Sequence, residues 1–173
     1  MITIIAGTNR QGSNTLKLAN YYRSLLQKNN MEVDLISLTE LPDNFIVSDL
    51  YGKRSETFQK IQDRITTSNK FLFVMPEYNG GFPGILKIFI DACVFPTSFY
   101  EKKAALVGLS AGRYGNVRGL EHFTSLAHYF NLHVLPLKIH IPFINTELNE
   151  QGDLFKEDTL KQVNLQIQQF IAF

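Results

Sequence analysis

Five short apolar runs, each followed by residues spaced three or four apart as on one face of a helix, leave this chain few folds to choose from. Residues 2–6 are apolar and end at Gly7, after which Leu16, Ala19, Tyr22 and Leu25/Leu26 mark a helical face. Residues 32–36 alternate polar with apolar, as a strand with one wet face does. Phe58, Ile61 and Ile65 mark a second helix, with Ser55 and Glu56 suited to its first turn. Residues 71–75 are a buried strand, Pro83 stands where a third helix would begin, and residues 85–94 continue it. Residues 104–109 precede a helix marked by Val117, Leu120, Phe123, Ala127 and Phe130. Residues 133–141 read as the last strand, and Leu160, Val163, Ile167, Phe170 and Ile171 mark the last helix.

Such alternation predicts a parallel sheet covered on both faces. The half-polar second strand and Pro136 in the fifth, which has no N–H for a ladder, belong at the edges. The expectation is therefore α/β: one three-layer α/β/α sandwich over residues 1–173, its five-stranded parallel sheet in the order 2-1-3-4-5.

Charge and cysteine usage narrow the function. Lys and Arg number 17 against 16 Asp and Glu, so no overall field draws nucleic acid or an anionic membrane, and an anion needs a local site. No window approaches the roughly 18 apolar residues of a membrane span. The start, "MITIIAG", is too short for a secretory leader and lacks a basic flank, which makes the cytoplasm the expected location. Cys93 alone makes no disulfide, cysteine-paired zinc site or iron–sulfur cluster, and within an apolar helical pattern it reads as core. His122, His128, His133 and His140 lack metal-ligand spacing, so no metal is expected, and Ser110 is not in a G-x-S-x-G elbow.

In the expected strand order the switch point lies between the first and third strands, where ligands sit beyond the carboxyl ends. The loops there are "GTNRQGSNT" and "PEYNGGFPG". In the first, Thr8, Ser13 and Thr15 bring hydroxyls to a helix N-terminus, and Arg10 adds a guanidinium that matches phosphate geometry. The same residues also suit a plain strand-to-helix turn capped by Ser13 or Asn14, with Arg10 solvated. Neither G-x-G-x-x-G nor G-x-x-x-x-G-K-[ST] occurs. In the second loop, glycines allow backbone N–H groups to approach a flat heterocycle, and Tyr78 offers an aromatic edge or face. A phosphate cradle beside such a turn describes flavin mononucleotide, FMN.

"GTNRQGSNT", "PEYNGGFPGILKIFID" and "SAGRYGNVRG", in this order and after these strands, resemble the NADPH-dependent FMN reductase family of flavodoxin-like proteins, along nearly the whole chain. The resemblance implies that Thr8, Arg10, Ser13, Asn14 and Thr15 bind the FMN phosphate. It implies that Pro76, Glu77, Tyr78, Asn79 and Gly80 frame the isoalloxazine ring, and that Ser110, Gly112 and Gly115 close its other side. Gly81 stands where the family usually has serine, and Arg113 and Asn116 replace paired glycines. Arg113 either grips the 2′-phosphate of NADPH or obstructs the site.

The activity implied is hydride transfer from NAD(P)H to bound FMN, followed by electron delivery to a small acceptor: a flavin, quinone, azo compound or metal oxyanion. No side chain need act as acid or base, so Tyr78 and Arg113 are substrate-pocket candidates and no catalytic residue is assigned. A flavodoxin-type electron carrier and a flavin-binding scaffold or sensor are the alternatives, although this near-neutral chain lacks a carrier's usual acidity. Residues 85–94 are apolar all round except Lys87 and Asp91, which points to a homodimer or dimer of dimers built on that helix. Lys53 and Arg54 beside Gly52 are either part of a lid or a solvated loop.

Overall fold

The computed structural model describes residues 1–173. In chain order its elements are β1 (Ile2–Ala6), α1 (Asn14–Lys28), β2 (Val33–Ser37), the short α2 (Phe45–Ser48), α3 (Glu56–Thr67), β3 (Lys70–Pro76), α4 (Gly84–Ala92), β4 (Lys103–Leu109), α5 (Val117–Tyr129), β5 (His133–Val134), β6 (Ile139–Ile141) and α6 (Glu157–Ala172). Every strand pairing is parallel and the order is β2-β1-β3-β4-β5, with β6 also paired to β4.

The expected five strands are thus six. Residues 133–141 leave the ladder midway, because four residues separate Val134 from Ile139 while two separate their partners Ala104 and Val107. Pro136, without an N–H, sits in that excursion. The far segment resumes with Ile139 opposite Val107 and brings the Ile141 carbonyl to accept the Ser110 N–H at 3.0 Å.

Alternate residues of each central strand feed opposite cores, as a two-residue period requires. Phe71, Phe73 and Met75 pack with α3, α4 and α5 through Phe58, Ile61, Phe89, Leu120 and Phe123. Leu72 and Val74 pack with α1 and α6 through Leu18, Tyr22, Val163, Ile167 and Phe170. On the second face Gln166, wholly buried, donates to the carbonyls of Leu106 (2.9 Å) and Leu137 (3.0 Å) and accepts from the Tyr22 hydroxyl (3.2 Å).

At the amino ends of the strands, lysines take the carbonyls that helix C-termini leave unpaired. Lys70 donates to Phe170 and Ile171, Lys103 to Phe173, and Lys102 to Ile65 and Thr66. No helix is long and apolar enough to cross a membrane.

Helix α4 ends at Ala92, two residues before the expected 94, so Cys93 terminates it instead of lying inside it. The Ala92 carbonyl accepts from Arg54 (2.9 Å), and the Val94 N–H donates to Gln62 (2.9 Å). Burial pushes the Cys93 thiol well up. Arg54 also lies 4.9 Å over the Phe58 ring, and the neighbouring loop is held by Asp49, whose carboxylate accepts from the Ser55 N–H (2.5 Å) and hydroxyl (3.0 Å). Arg54 is thereby tied into the aromatic face.

Candidate functional site

Four loops meet beyond the carboxyl ends of β1, β3, β4 and β6. They enclose a cleft of about 570 Å³ lined by Arg10–Thr15, Pro76–Tyr78, Leu109–Ala111, Ile144 and Asn145. The volume is that of a small-molecule site.

The β1 loop turns into α1 at Ser13, whose Oγ accepts from the Leu16 N–H at 3.2 Å. Ser13 is therefore the helix cap, as in the plain-turn alternative, yet the loop holds more than a cap. The N–H groups of Gln11, Gly12, Ser13, Asn14 and Thr15 have no acceptor in the protein. Arg10 is exposed and forms no ion pair. Successive free N–H groups at the positive end of a helix, with a free guanidinium beside them, form an anion cradle. Thr8 is buried and its hydroxyl is already engaged, bonding Tyr78 Oη at 2.9 Å and accepting from the Arg10 N–H at 3.3 Å. Asn14 reaches the other way, donating to Asn145 Oδ1 at 2.7 Å.

The β3 loop is a hairpin turn. Tyr78 and Gly81 exchange backbone hydrogen bonds of 2.9 and 3.1 Å, and the corners, Asn79 (φ 51°) and Gly80 (φ 77°), are both left-handed. Asn-Gly is the pair that such a type I′ turn prefers. These two residues do not line the cleft through their side chains, but their N–H groups have no protein acceptor. Glu77 does line it, and its Oε2 accepts from the Asn116 N–H at 3.1 Å. It thus sets a carboxylate at the start of α5, where the dipole favours one.

In the β4 loop, Ser110 binds the loop to itself, donating to the Gly112 carbonyl and accepting from the Gly115 N–H, both at 2.8 Å. Gly115 (φ 56°) passes so close to β6 that a Cβ would lie 2.8 Å from the Ile141 nitrogen. Arg113 lies outside the cleft lining, its guanidinium 5.0 Å over the exposed Tyr114 ring, and Arg118 reaches the same ring at 5.9 Å.

Gln11, Gly12, Ala111, Ile144 and Asn145 line the cleft without having been singled out from sequence. The first three are neighbours of motif residues. Ile144 and Asn145 follow the edge strand, and only the rule that ligands gather at strand carboxyl ends points to them.

A model of the NADPH-dependent FMN reductase family matches residues 1–146. An NAD(P)H-dependent FMN reductase of Pseudomonas aeruginosa is 26% identical over 166 residues, spanning 90% of this chain and 89% of that protein. A 2-hydroxy-1,4-benzoquinone reductase of a Burkholderia species is 23% identical over 176 aligned positions, covering 99% and 94%. The structure of a flavoenzyme NAD(P)H:(acceptor) oxidoreductase of Paracoccus denitrificans superposes with a TM-score of 0.82, covering 99% of this chain and 94% of that one. At 23% identity that likeness speaks for the fold.

Proposed function

The chain belongs to the NADPH-dependent FMN reductase family, and on that premise we propose that the cleft holds FMN and that the protein is an FMN-dependent NAD(P)H oxidoreductase. The carrying observation is the row of free N–H groups from Gln11 to Thr15 beside an unpaired Arg10. The chemistry FMN supplies when bound is acceptance of a hydride from NAD(P)H and release of the electrons to a small acceptor. Quinone and azo compounds lead that class, because relatives are named as reductases of them.

The residues divide the work by position. Arg10 and the α1 N-terminus hold the phosphate, with Ser13, Asn14 and Thr15 supplying N–H groups. Tyr78 and the N–H groups of Asn79 and Gly80 face the ring edge, with Pro76 and Glu77 beneath. Ser110 belongs to the opposite wall, and Gly112 and Gly115, outside the lining, stand behind it through their bonds to Ser110. No side chain transfers a proton to or from substrate in this reading. Arg113 and Arg118, flanking Tyr114 outside the cleft, suit the 2′-phosphate of NADPH.

Residues 1–173 act as one flavodoxin-like domain in this reading, and the partner is a second copy. Ile85 and Ile88 are only half buried, and Val94, Phe95, Tyr100 and Tyr129 stay exposed beside α4. Dependence on reduced nicotinamide, and a free Cys93, support a cytoplasmic place of work. The decisive experiment is a steady-state screen of quinone, azo and flavin acceptors with NADPH and NADH on FMN-loaded protein. Flavin bound without turnover of either nicotinamide would favour the electron-carrier alternative.

A further inference from the structure

Asn116 combines three properties. It is wholly buried, its backbone is left-handed (φ 64°, ψ 33°), and it stands immediately before α5 without capping that helix through its side chain. The amide turns inward instead. Nδ2 donates to the carbonyls of Met75 (3.0 Å) and Pro76 (3.1 Å), while the backbone N–H donates to Glu77 (3.1 Å). One residue thereby grips three consecutive residues at the end of β3.

The surroundings are cut to fit it. A Cβ on Gly119 would fall 2.0 Å from Asn116 Oδ1, and one on Gly108 would fall 3.0 Å from Asn116 Cβ and 2.4 Å from the Gly115 carbonyl oxygen. Gly119 therefore keeps open the space that the amide fills, and Gly108 the space of the backbone turn that carries it. Its Oδ1 nevertheless has no donor, and a buried acceptor left unpaired is a cost that stability alone does not explain.

The ladder between β3 and β4 runs out at Pro76 opposite Leu109, with one further bond from the Glu77 N–H to the Leu109 carbonyl. Past that point Asn116 is the only residue of the β4 loop that hydrogen-bonds to the β3 end or its turn. Pro76 and Glu77 line one wall of the cleft, and Ser110 and Ala111 the wall beside it.

We propose that Asn116 is a positioning residue, which sets the gap between the 76–81 turn and the 110–116 loop so that the ring end of the cleft is formed before flavin arrives. The proposal rests on the FMN reading above and concerns the ring, not the phosphate. A slot already held at its bound width spares the ligand the cost of ordering two loops.

The test compares three ligands: FMN, riboflavin, which has the ring and no phosphate, and inorganic phosphate as a competitor. Glycine adopts a left-handed backbone freely, so Asn116→Gly removes the amide and keeps the turn. It is expected to weaken FMN and riboflavin by the same factor, about tenfold on the scale of one or two lost hydrogen bonds, with phosphate unchanged. Asn116→Asp, which also tolerates this backbone but puts oxygen against the Met75 and Pro76 carbonyls, is the second variant and should lose at least as much. Unchanged riboflavin affinity in both variants overturns the proposal, as does an equal loss for phosphate, the mark of general disruption. If the unaltered protein binds neither flavin, the FMN reading falls and takes this inference with it. If it binds both and the variants match it, only this inference falls.

Discussion

The hydroxyls of Thr8 and Tyr78 meet at 2.9 Å, although the residues are 70 apart in sequence. That bond joins the loop that would take a phosphate to the turn that would frame a ring. Tyr78→Phe and Thr8→Val should each weaken FMN by about 0.5–1.5 kcal/mol, the net worth of one hydrogen bond. The double variant should lose little more than Thr8→Val alone, because that change already removes the bond that Tyr78→Phe removes. Fluorescence titration of FMN reads the cycle, and full additivity would show that the two hydroxyls act apart.

Arg10 is exposed and unpaired beside the α1 N-terminus, where the FMN reading puts the phosphate. Arg10→Ala should weaken FMN by about 1.5–3 kcal/mol, the range for a charge-assisted hydrogen bond. Riboflavin affinity should hold. An equal loss for both flavins would move Arg10 away from the phosphate.

Arg113, stacked on Tyr114, is expected to choose between nicotinamides. Arg113→Gly should lower kcat/KM for NADPH relative to NADH, by about tenfold if one charged contact to the 2′-phosphate is lost. An unaltered ratio passes the role to Arg118 or removes it from this cluster.

Asp49 gives the fold an acid-labile joint. Burial opposes its ionisation, but hydrogen bonds from Ser48 and Ser55 and the charge of Arg54 outweigh burial, so the carboxyl titrates below its usual value. With the folded value depressed, the stabilisation is present above the unfolded pKa of about 3.9 and lost as pH falls through the folded one. Asp49→Ala should cost about 1.5–3 kcal/mol at pH 7 and flatten the acid limb of a urea-stability profile. A parallel downward shift at every pH would assign the loss to packing instead.

Sedimentation at micromolar concentration should give about twice 19.8 kDa for the FMN-loaded protein. Phe95→Glu, on a ring that is 70% exposed, should return it to the monomer without unfolding it. A monomer before any substitution rules the dimer out.

Much of this architecture was legible because burial on two faces writes itself as apolar runs. Residues 71–75, apolar throughout, read as a central strand and the half-polar second strand as an edge, and both stand there in the sheet. The split of the last strand was not legible, since Pro136 announces an edge but not how many residues the chain spends going round it. The loops after β1 and β3 were legible from their composition and from their place at the switch point. Asn145 was not, because it follows a strand that carries no motif. Asn79-Gly80 did carry its own signal, a hairpin corner, although its residues first drew attention as ring contacts. Asn116 was the hardest to read: its partners are backbone carbonyls about 40 residues away, and every sequence has carbonyls.

The aliphatic face of the sheet joins α1 to α6, with Gln166 bonded at once to Tyr22, Leu106 and Leu137. The aromatic face is served by α3, α4 and α5, which follow one another along the chain. Synthesis therefore delivers the two halves on different schedules. The aromatic side has all its helices once residue 129 has emerged, while α1, made early, packs on the sheet but waits for the segment 157–172 to close the rest of its core. Nascent chains stalled with residue 150 just outside the ribosome should thus be cut by protease more readily within α1 than within α3 to α5, and equal resistance throughout would mean that the sheet needs no such closure.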